Sequence, residues 1–248
     1  MSDTDQGSNG GAPQDAAKQE AIRPRDSSTL IIVDTTAGEP KVLMGKRRPD
    51  LVFMPGKYVF PGGRVDSLDR TVSSVDELDP NDAAKLMLEM KPNPSASRAR
   101  AIALAAVRET FEEAGLLIGA AGKATGDVES ETWSRFFEHG FLPKLSQLTF
   151  FARAITPPGR PRRYDSRFFY ADVSAIVHRS EIKDGELSSL DWFTFEEVRT
   201  LDLPAITRVV LEDLIDRLAL DRNGRDAAAA IPFYSHRNGT SRRQLLAL

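Results

Sequence analysis

Three features of the sequence predict an α/β fold. Short apolar, β-branched runs such as residues 27–34 (SSTLIIVD) and 41–46 (KVLMGK) have the length and composition of strands. Residues 99–117 and 203–220 instead space their apolar side chains three and four apart, as amphipathic helices do. The two kinds of segment are interspersed along 248 residues that are 41% hydrophobic, enough to bury one full core.

The segments are predicted in order as follows. Residues 1–26 are rich in Gly, Gln, Asp and Ser, with almost nothing large and apolar to offset the entropy of ordering, and are expected to be a disordered tail. Residues 27–34 pair with 41–46 across Gly38-Glu39-Pro40 as a hairpin. Arg47 and Arg48 leave that hairpin together, either as a solvated loop or as a clamp for phosphate. Residues 51–60 carry Pro55 and Gly56 between apolar halves and read as a loop entering a short strand. Asn81 is expected to cap a helix reaching Met90, and Lys91-Pro92-Asn93-Pro94 breaks it before Ser95 caps the central helix. This helical insert, residues 70–97, is expected to be a lid or a dimer surface rather than a further domain.

Beyond the central helix, residues 119–127 read as a mobile loop and 131–139 as a short helix with Trp133, Phe136 and Phe137 on one side. His139 has no second histidine at ligand spacing and is expected to be an ordinary residue. Residues 147–155 and 167–173 read as strands. The connector between them carries Arg160, Arg162, Arg163 and Tyr164, suited to an anionic, ring-bearing ligand or to a stiff proline loop with solvated charges. A strand over 185–194 leads into a helix start at Phe195-Glu196-Glu197-Val198. The helix over 203–220 is structural, with Ile206, Val209, Val210, Leu214 and Leu218 at helical spacing. Residues 221–248 have little pattern and read as a C-terminal tail, Ile231-Pro232-Phe233-Tyr234 being the segment suited to docking on the core.

The central helix carries the chemistry. At about 100° per residue, Glu109, Glu112 and Glu113 share one side, and Leu104, Val107, Phe111 and Ala114 fall roughly opposite. Such a stripe is either a solvated acidic face or a set of hard oxygen ligands. Arg108 stands beside the first glutamate and Gly115 stops the helix. Upstream, Phe60-Pro61-Gly62-Gly63 forms a turn whose backbone can approach a ligand closely, followed by Asp66 and Asp69. Oxygen ligands beside an exposed backbone turn suit Mg2+ or Mn2+.

These residues resemble the Nudix hydrolases, whose signature is G-x5-E-x7-R-E-U-x-E-E-x-G-U with U a bulky apolar residue. Arg108 to Leu116 matches its second half, with Thr110 at an apolar position. Gly63 with Asp69 matches its first half, aspartate replacing glutamate. Residues 70–107 stand where the signature has seven positions, so the box is split by the insert. The resemblance implies an α/β/α sandwich, with a mixed sheet between the central helix and the 203–220 helix. It implies hydrolysis of a nucleoside diphosphate linked to another moiety. Glu109, Glu112 and Glu113 would hold the metal, the Gly62 carbonyl would complete the set, and Arg108 would hold a glutamate in place. Glu109, Glu112 and Glu186 are the candidates for the base.

The split box and the arginine-rich connector resemble a branch of coenzyme A diphosphatases. Leu43, Arg47 and Gly56 fit that branch's extra signature, whereas Val52 occupies its second arginine position. Coenzyme A or acyl-coenzyme A is therefore the expected substrate, with Arg47, Arg48, Arg162, Arg163 and Tyr164 as substrate contacts and ADP-ribose or NADH as the rivals. A non-catalytic Nudix module is a further alternative, although such modules are expected to lose box glutamates. Isopentenyl diphosphate isomerase chemistry is disfavoured by the absence of cysteine.

Composition narrows the setting. A formal charge of −3 gives no reason to expect a nucleic-acid partner. No apolar run reaches the roughly 20 residues of a membrane span, and no apolar signal core stands at the N-terminus. The final Leu246-Ala247-Leu248 is not a peroxisomal Ser-Lys-Leu address, so a cytoplasmic protein, as a monomer or homodimer, is expected.

Overall fold

A computed structural model describes residues 22–36, 38–125, 129–182, 185–220, 226, 228–237 and 239–248. In chain order the elements are β1 (Arg25–Asp34), β2 (Lys41–Arg47), β3 (Tyr58–Val59), β4 (Gly62–Arg64), α1 (Pro80–Met87), α2 (Ala96–Ala114), β5 (Leu116–Ala121), α3 (Glu131–Glu138), β6 (Phe141–Pro143), β7 (Thr149–Ile155), β8 (Tyr164–Asp172), β9 (Ile176–Arg179), β10 (Leu187–Thr194), α4 (Phe195–Thr200), α5 (Ala205–Leu220), β11 (Ile231–Arg237) and β12 (Thr240–Leu246). Short 3-10 turns lie between several of them.

The main sheet runs β10-β2-β1-β8-β7-β11-β12, with β3 beside β2 and β4 beside β1. It is mixed: β1 with β8 and β7 with β11 are parallel, and the other pairs are antiparallel. A smaller sheet orders β6-β5-β9.

Because strand side chains alternate, the unbroken LIIV run of β1 serves two cores at once. Leu30 and Ile32 pack with α1, α2 and α3 through Leu86, Leu104, Val107 and Trp133. Ile31 and Val33 pack with α4 and α5 through Val198, Val210, Leu211 and Leu214. The result is the α/β/α sandwich with its mixed sheet between α2 and α5. Among the described residues no helix is long and apolar enough to cross a membrane.

Several boundaries differ from the sequence prediction. Residues 1–21 of the expected N-terminal tail lie outside the described residues, but Arg25 and Asp26 belong to β1. Asp26 pairs with Arg98 and Arg167, contacts that only the fold assembles. Gly119 to Ala121, read as loop, extend β5 against β6. Tyr164 and Asp165, assigned to the connector, begin β8. The expected C-terminal tail contains the hairpin β11-β12, and β11 adds to β7, pairing Phe233 with Arg153 and Tyr234 with Ala154. A pattern whose second strand is exposed almost throughout, as β12 is, carries no core period to read. Val209 is exposed, and Leu211 instead fills the α5 core face.

The insert is core rather than lid. Its helix α1 is capped by Asp79, not Asn81: Pro80 takes the first helical position and the Asp79 carboxylate accepts from the Asn81 N–H at 2.8 Å. Leu78, Leu86 and Met90 join the α2 core. Buried Asp82 pairs with buried Lys85 at 3.0 Å and accepts from the Phe150 N–H at 3.1 Å. Lys85 in turn donates to the Ala229 carbonyl at 3.2 Å, tying the insert to the segment that leads into β11.

Candidate active site

Helix α2 is placed by both of its ends. Ser95 Oγ accepts from the Arg98 N–H at 3.2 Å, and Gly115 closes the helix at φ 65°, where a side chain would also run into the Ser180 carbonyl. Thr110 is fully buried, and its hydroxyl donates to the Ala106 carbonyl one turn back at 2.7 Å. That internal bond lets a polar residue occupy a position usually apolar.

The glycine turn meets the carboxylates of α2. A Cβ on Gly63 would collide with the Glu109 carboxylate, and one on Gly62 with the Ser28 carbonyl and Thr29. Two glycines are therefore what this close approach requires. The Gly62 N–H donates to Glu113 Oε2 at 2.9 Å.

Arg108 organises the other side. Its Nε and Nη2 donate to Asp69 at 2.9 and 3.2 Å, Nη1 reaches Glu109 at 2.9 Å and Glu112 at 3.3 Å, and Nη2 also donates to the Arg64 carbonyl at 2.7 Å. Asp69 is completely buried and further held by Trp133 Nε1 at 2.9 Å and the Asp66 N–H at 2.8 Å. The aspartate in the first half of the box thus anchors the arginine of the second half. The insert between them does not separate the two.

The electrostatics show a deficit of positive charge. Burial, reinforced by Glu112 and Asp69 and only partly opposed by Arg108, pushes the Glu109 carboxyl up to about 7. Burial pushes Glu113 up to about 8, with Glu109 and Glu186 adding to the rise and the Gly62 N–H and Arg47 opposing it. Burial would lower the Arg108 guanidinium, but its bonds and proximity to Asp69 and Glu109 outweigh that and raise it.

The β2-β10 pairing sets Leu187 opposite Arg47 and so delivers Glu186 to the same place. Arg47 binds Glu186 at 2.8 Å, stands 3.9 Å from Glu113 and donates to the Phe53 carbonyl at 3.0 Å. The structure therefore gathers Glu109, Glu113, Glu186, Arg47, Arg108 and Gly62. Glu112 is half-exposed on the rim, bonded to Arg108 and to Thr132 Oγ1 at 3.4 Å. Among the described residues no three acidic or histidine side chains converge at ligand spacing as they stand. Two largely buried carboxylates with too little counter-charge, against a backbone turn that a Cβ would fill, are nonetheless a donor set that fits a hard divalent cation.

No family model matches the chain. The putative nudix hydrolase 7 of Caenorhabditis elegans is 29% identical over 187 residues, covering 70% of this chain and 52% of that protein. The acyl-coenzyme A diphosphatase NUDT19 of Gallus gallus is 25% identical over 189 residues, covering 56% of this chain and 50% of that protein. The chain spans about half the length of these curated relatives. The crystal structure of a Nudix hydrolase from Alicyclobacillus acidocaldarius superposes with a TM-score of 0.58 at 23% identity, covering 78% of this chain and 92% of that one. The chain has the fold of the Nudix hydrolases and is similar to them in sequence.

The remaining sequence-predicted contacts of this chain divide. Arg48 is turned to Asp50, at 3.0 and 2.6 Å, and is not brought to the carboxylates. Arg163 donates to the Thr156 carbonyl at 3.0 Å and the Ile22 carbonyl at 2.6 Å, holding the connector and the entry to β1. Arg162 lies over the Phe53 ring at 5.9 Å, and Tyr164 meets that ring at 6.2 Å. Arg47 lies over it too, at 6.0 Å, so Phe53 links the connector to the arginine beside the carboxylates. His139 packs on His178 and Phe111, as an ordinary residue does. The sequence reading missed Phe53, Arg64 and Trp133 as site residues. No local signal marks them, because each acts through a partner distant along the chain.

Proposed function

We propose that this chain is a divalent-metal-dependent hydrolase of a nucleoside diphosphate linked to another moiety, with coenzyme A or an acyl-coenzyme A as substrate. The observation that carries the reading is the pair of under-neutralised carboxylates, buried Glu113 and largely buried Glu109, held against Gly62 and Gly63. With Mg2+ or Mn2+ held by Glu109, Glu113 and the Gly62 backbone, Glu112 swinging in from the rim, the bound metal supplies neutralisation of the diphosphate charge.

The chain's own residues do the rest. Arg108, locked by Asp69, fixes the rotamer of Glu109 and keeps it beside the glycine turn. Glu112 is the member of the stripe with an exposed carboxylate, and in this reading it takes the proton of the attacking water. Glu186, already ion-paired to Arg47, orients that arginine toward the substrate phosphates and is the lesser candidate for the base. The coenzyme A assignment is supported by the similarity to the acyl-coenzyme A diphosphatase of Gallus gallus and by the partial match at Leu43, Arg47 and Gly56. The cytoplasmic location belongs to the same proposal and is checked by cell fractionation.

The test is a hydrolysis screen of coenzyme A, acyl-coenzyme A, ADP-ribose, NADH and dinucleoside polyphosphates with Mg2+ or Mn2+. The expected result is metal-dependent cleavage of the coenzyme A diphosphate that disappears in Glu113→Gln. Faster cleavage of NADH or ADP-ribose would replace the substrate class. Absence of metal-dependent cleavage of every compound would support the non-catalytic alternative.

A further inference from the structure

The largely buried arginines Arg98, Arg108, Arg153 and Arg167 each have an aspartate or glutamate partner within 2.9 Å. A different group of arginines is gathered without carboxylates. A cavity of about 460 Å³ is lined by Arg23, Arg25, Arg64, Arg162, Arg163 and Tyr164, and no lining residue is acidic. Among the described residues, none of these five arginines forms an ion pair within 4.0 Å. The chain as a whole is slightly acidic, at −3, so this concentration is local.

The fold builds the cavity. Parallel pairing sets Arg25 opposite Tyr164, and antiparallel pairing sets Arg64 opposite Ser27, so Arg25, Arg64 and Tyr164 share one face of the sheet. Arg163 is the wall rather than a reader, because its Nε and Nη1 hold the Thr156 and Ile22 carbonyls. Arg23, Arg25, Arg64 and Arg162 supply the guanidinium groups. Like charges gathered in a concave space focus a positive potential there, and guanidinium forks match phosphate oxygens two at a time.

Two links connect the cavity to the catalytic carboxylates. Arg64 follows Gly63 directly, and its carbonyl accepts from Arg108 Nη2 at 2.7 Å. Arg162 shares the Phe53 ring with Arg47, which itself bonds to Glu186. A ligand with its diphosphate at the carboxylates therefore has a second anion-binding place next door.

We infer that this arginine cavity is a second anion site, reading a phosphate monoester that the substrate carries apart from its scissile diphosphate. The inference rests on the proposed hydrolase function for the placement of the diphosphate. It selects substrates whose nucleoside bears an additional phosphate over those with bare ribose hydroxyls. Arg64 and Arg162 are its principal specificity residues.

The test separates this site from the hydrolase reading. Binding of adenosine 3′,5′-bisphosphate and of AMP is measured by calorimetry in magnesium buffer for the full chain and for Arg64→Ala and Arg162→Ala. Both arginines are exposed, and unchanged melting temperatures verify that the variants fold. The wild-type chain should bind the bisphosphate roughly tenfold to a hundredfold tighter than AMP, as charge-assisted contacts to one phosphate allow. Each variant should lose most of that ratio while its AMP affinity stays within about twofold. Equal affinities in the wild type, or a ratio that survives both substitutions, would overturn the second site. A bisphosphate preference that vanishes in the variants, in a chain that hydrolyses nothing, would keep the site and reject the hydrolase reading instead.

Discussion

Two clusters of arginines and carboxylates are buried in this molecule, and they are built on opposite principles. Arg98, Arg153 and Arg167 interlock with Asp26 and Asp165 through contacts of 2.6 to 3.1 Å, linking the insert, β1, α2, β7 and β8. Positive charge slightly exceeds negative there, and Asp26 lies below its ordinary carboxylate range: burial pushes it up, but Arg98 and Arg167 more than reverse that. Around the glycine turn the balance runs the other way. Among the described residues, the cationic partners of Asp69, Glu109, Glu112, Glu113 and Glu186 are Arg47 and Arg108, and burial pushes Glu109 and Glu113 up to about 7 and about 8. The first cluster has carboxylates matched by arginines and fastens the fold, although Arg167 Nε and Nη2 are buried there without a hydrogen-bond partner among the described residues. The second is held in place by its neighbours with carboxylates in excess of positive charge, the donor set that the proposed divalent cation would neutralise.

The largest effect should come from breaking the first cluster. Arg167→Ala leaves Asp26 and Asp165 short of a fully buried partner and should cost about 3–5 kcal/mol in urea unfolding. A loss under about 1 kcal/mol would show that the network does not fasten the fold. In the second cluster the loss should fall on activity. Glu113→Gln should lower turnover by more than about a hundredfold and remove the rise in melting temperature that Mg2+ gives the wild type. Without metal its melting temperature should equal or exceed the wild type's, since a buried carboxylate has been made neutral.

A third prediction uses pH. A carboxyl whose folded pKa is depressed stabilises above its unfolded value and loses that contribution as pH falls through the folded one. Asp26→Asn should therefore cost about 1–3 kcal/mol near pH 7. The gap to the wild type should shrink progressively as pH is lowered below the unfolded value of 3.8. A gap independent of pH would mean that Asp26 acts by shape alone. The smallest effect is expected of Glu186→Gln, because that carboxylate is more than half exposed and touches the site only through Arg47. Turnover should fall by less than about tenfold, and abolition of activity would move Glu186 into the chemistry as base or essential ligand.

These comparisons also show where sequence patterns stop. Helix α2, with Ser95 and Gly115 at its ends and Glu109, Glu112 and Glu113 along one side, was legible because capping and helical spacing are local. So were β1, β2, α3 and the core side of α5, apart from the exchange of Val209 for Leu211. The split signature put Asp69 and Arg108 in one box, but their pairing was not read from the sequence, since the insert stands between them. The cap at Asp79 rather than Asn81 shows the limit even locally: both types cap well, and Pro80 decides between them.

By itself, then, the sequence determined the α/β class, the central helix with its acidic stripe, and the glycine turn that fits against it. Each of these follows from residues within a few positions of one another, or from two such motifs matched together. Tertiary structure alone decided that Glu113 is buried and Glu109 largely so while Glu112 stays on the rim, and that Arg47 meets Glu186 while Arg48 turns to Asp50. It also made the insert and the β11-β12 hairpin part of the core and sheet, and gathered Arg23, Arg25, Arg64 and Arg162 into one cavity. Burial, charge balance and strand register all depend on which distant segments become neighbours, and no local period records that.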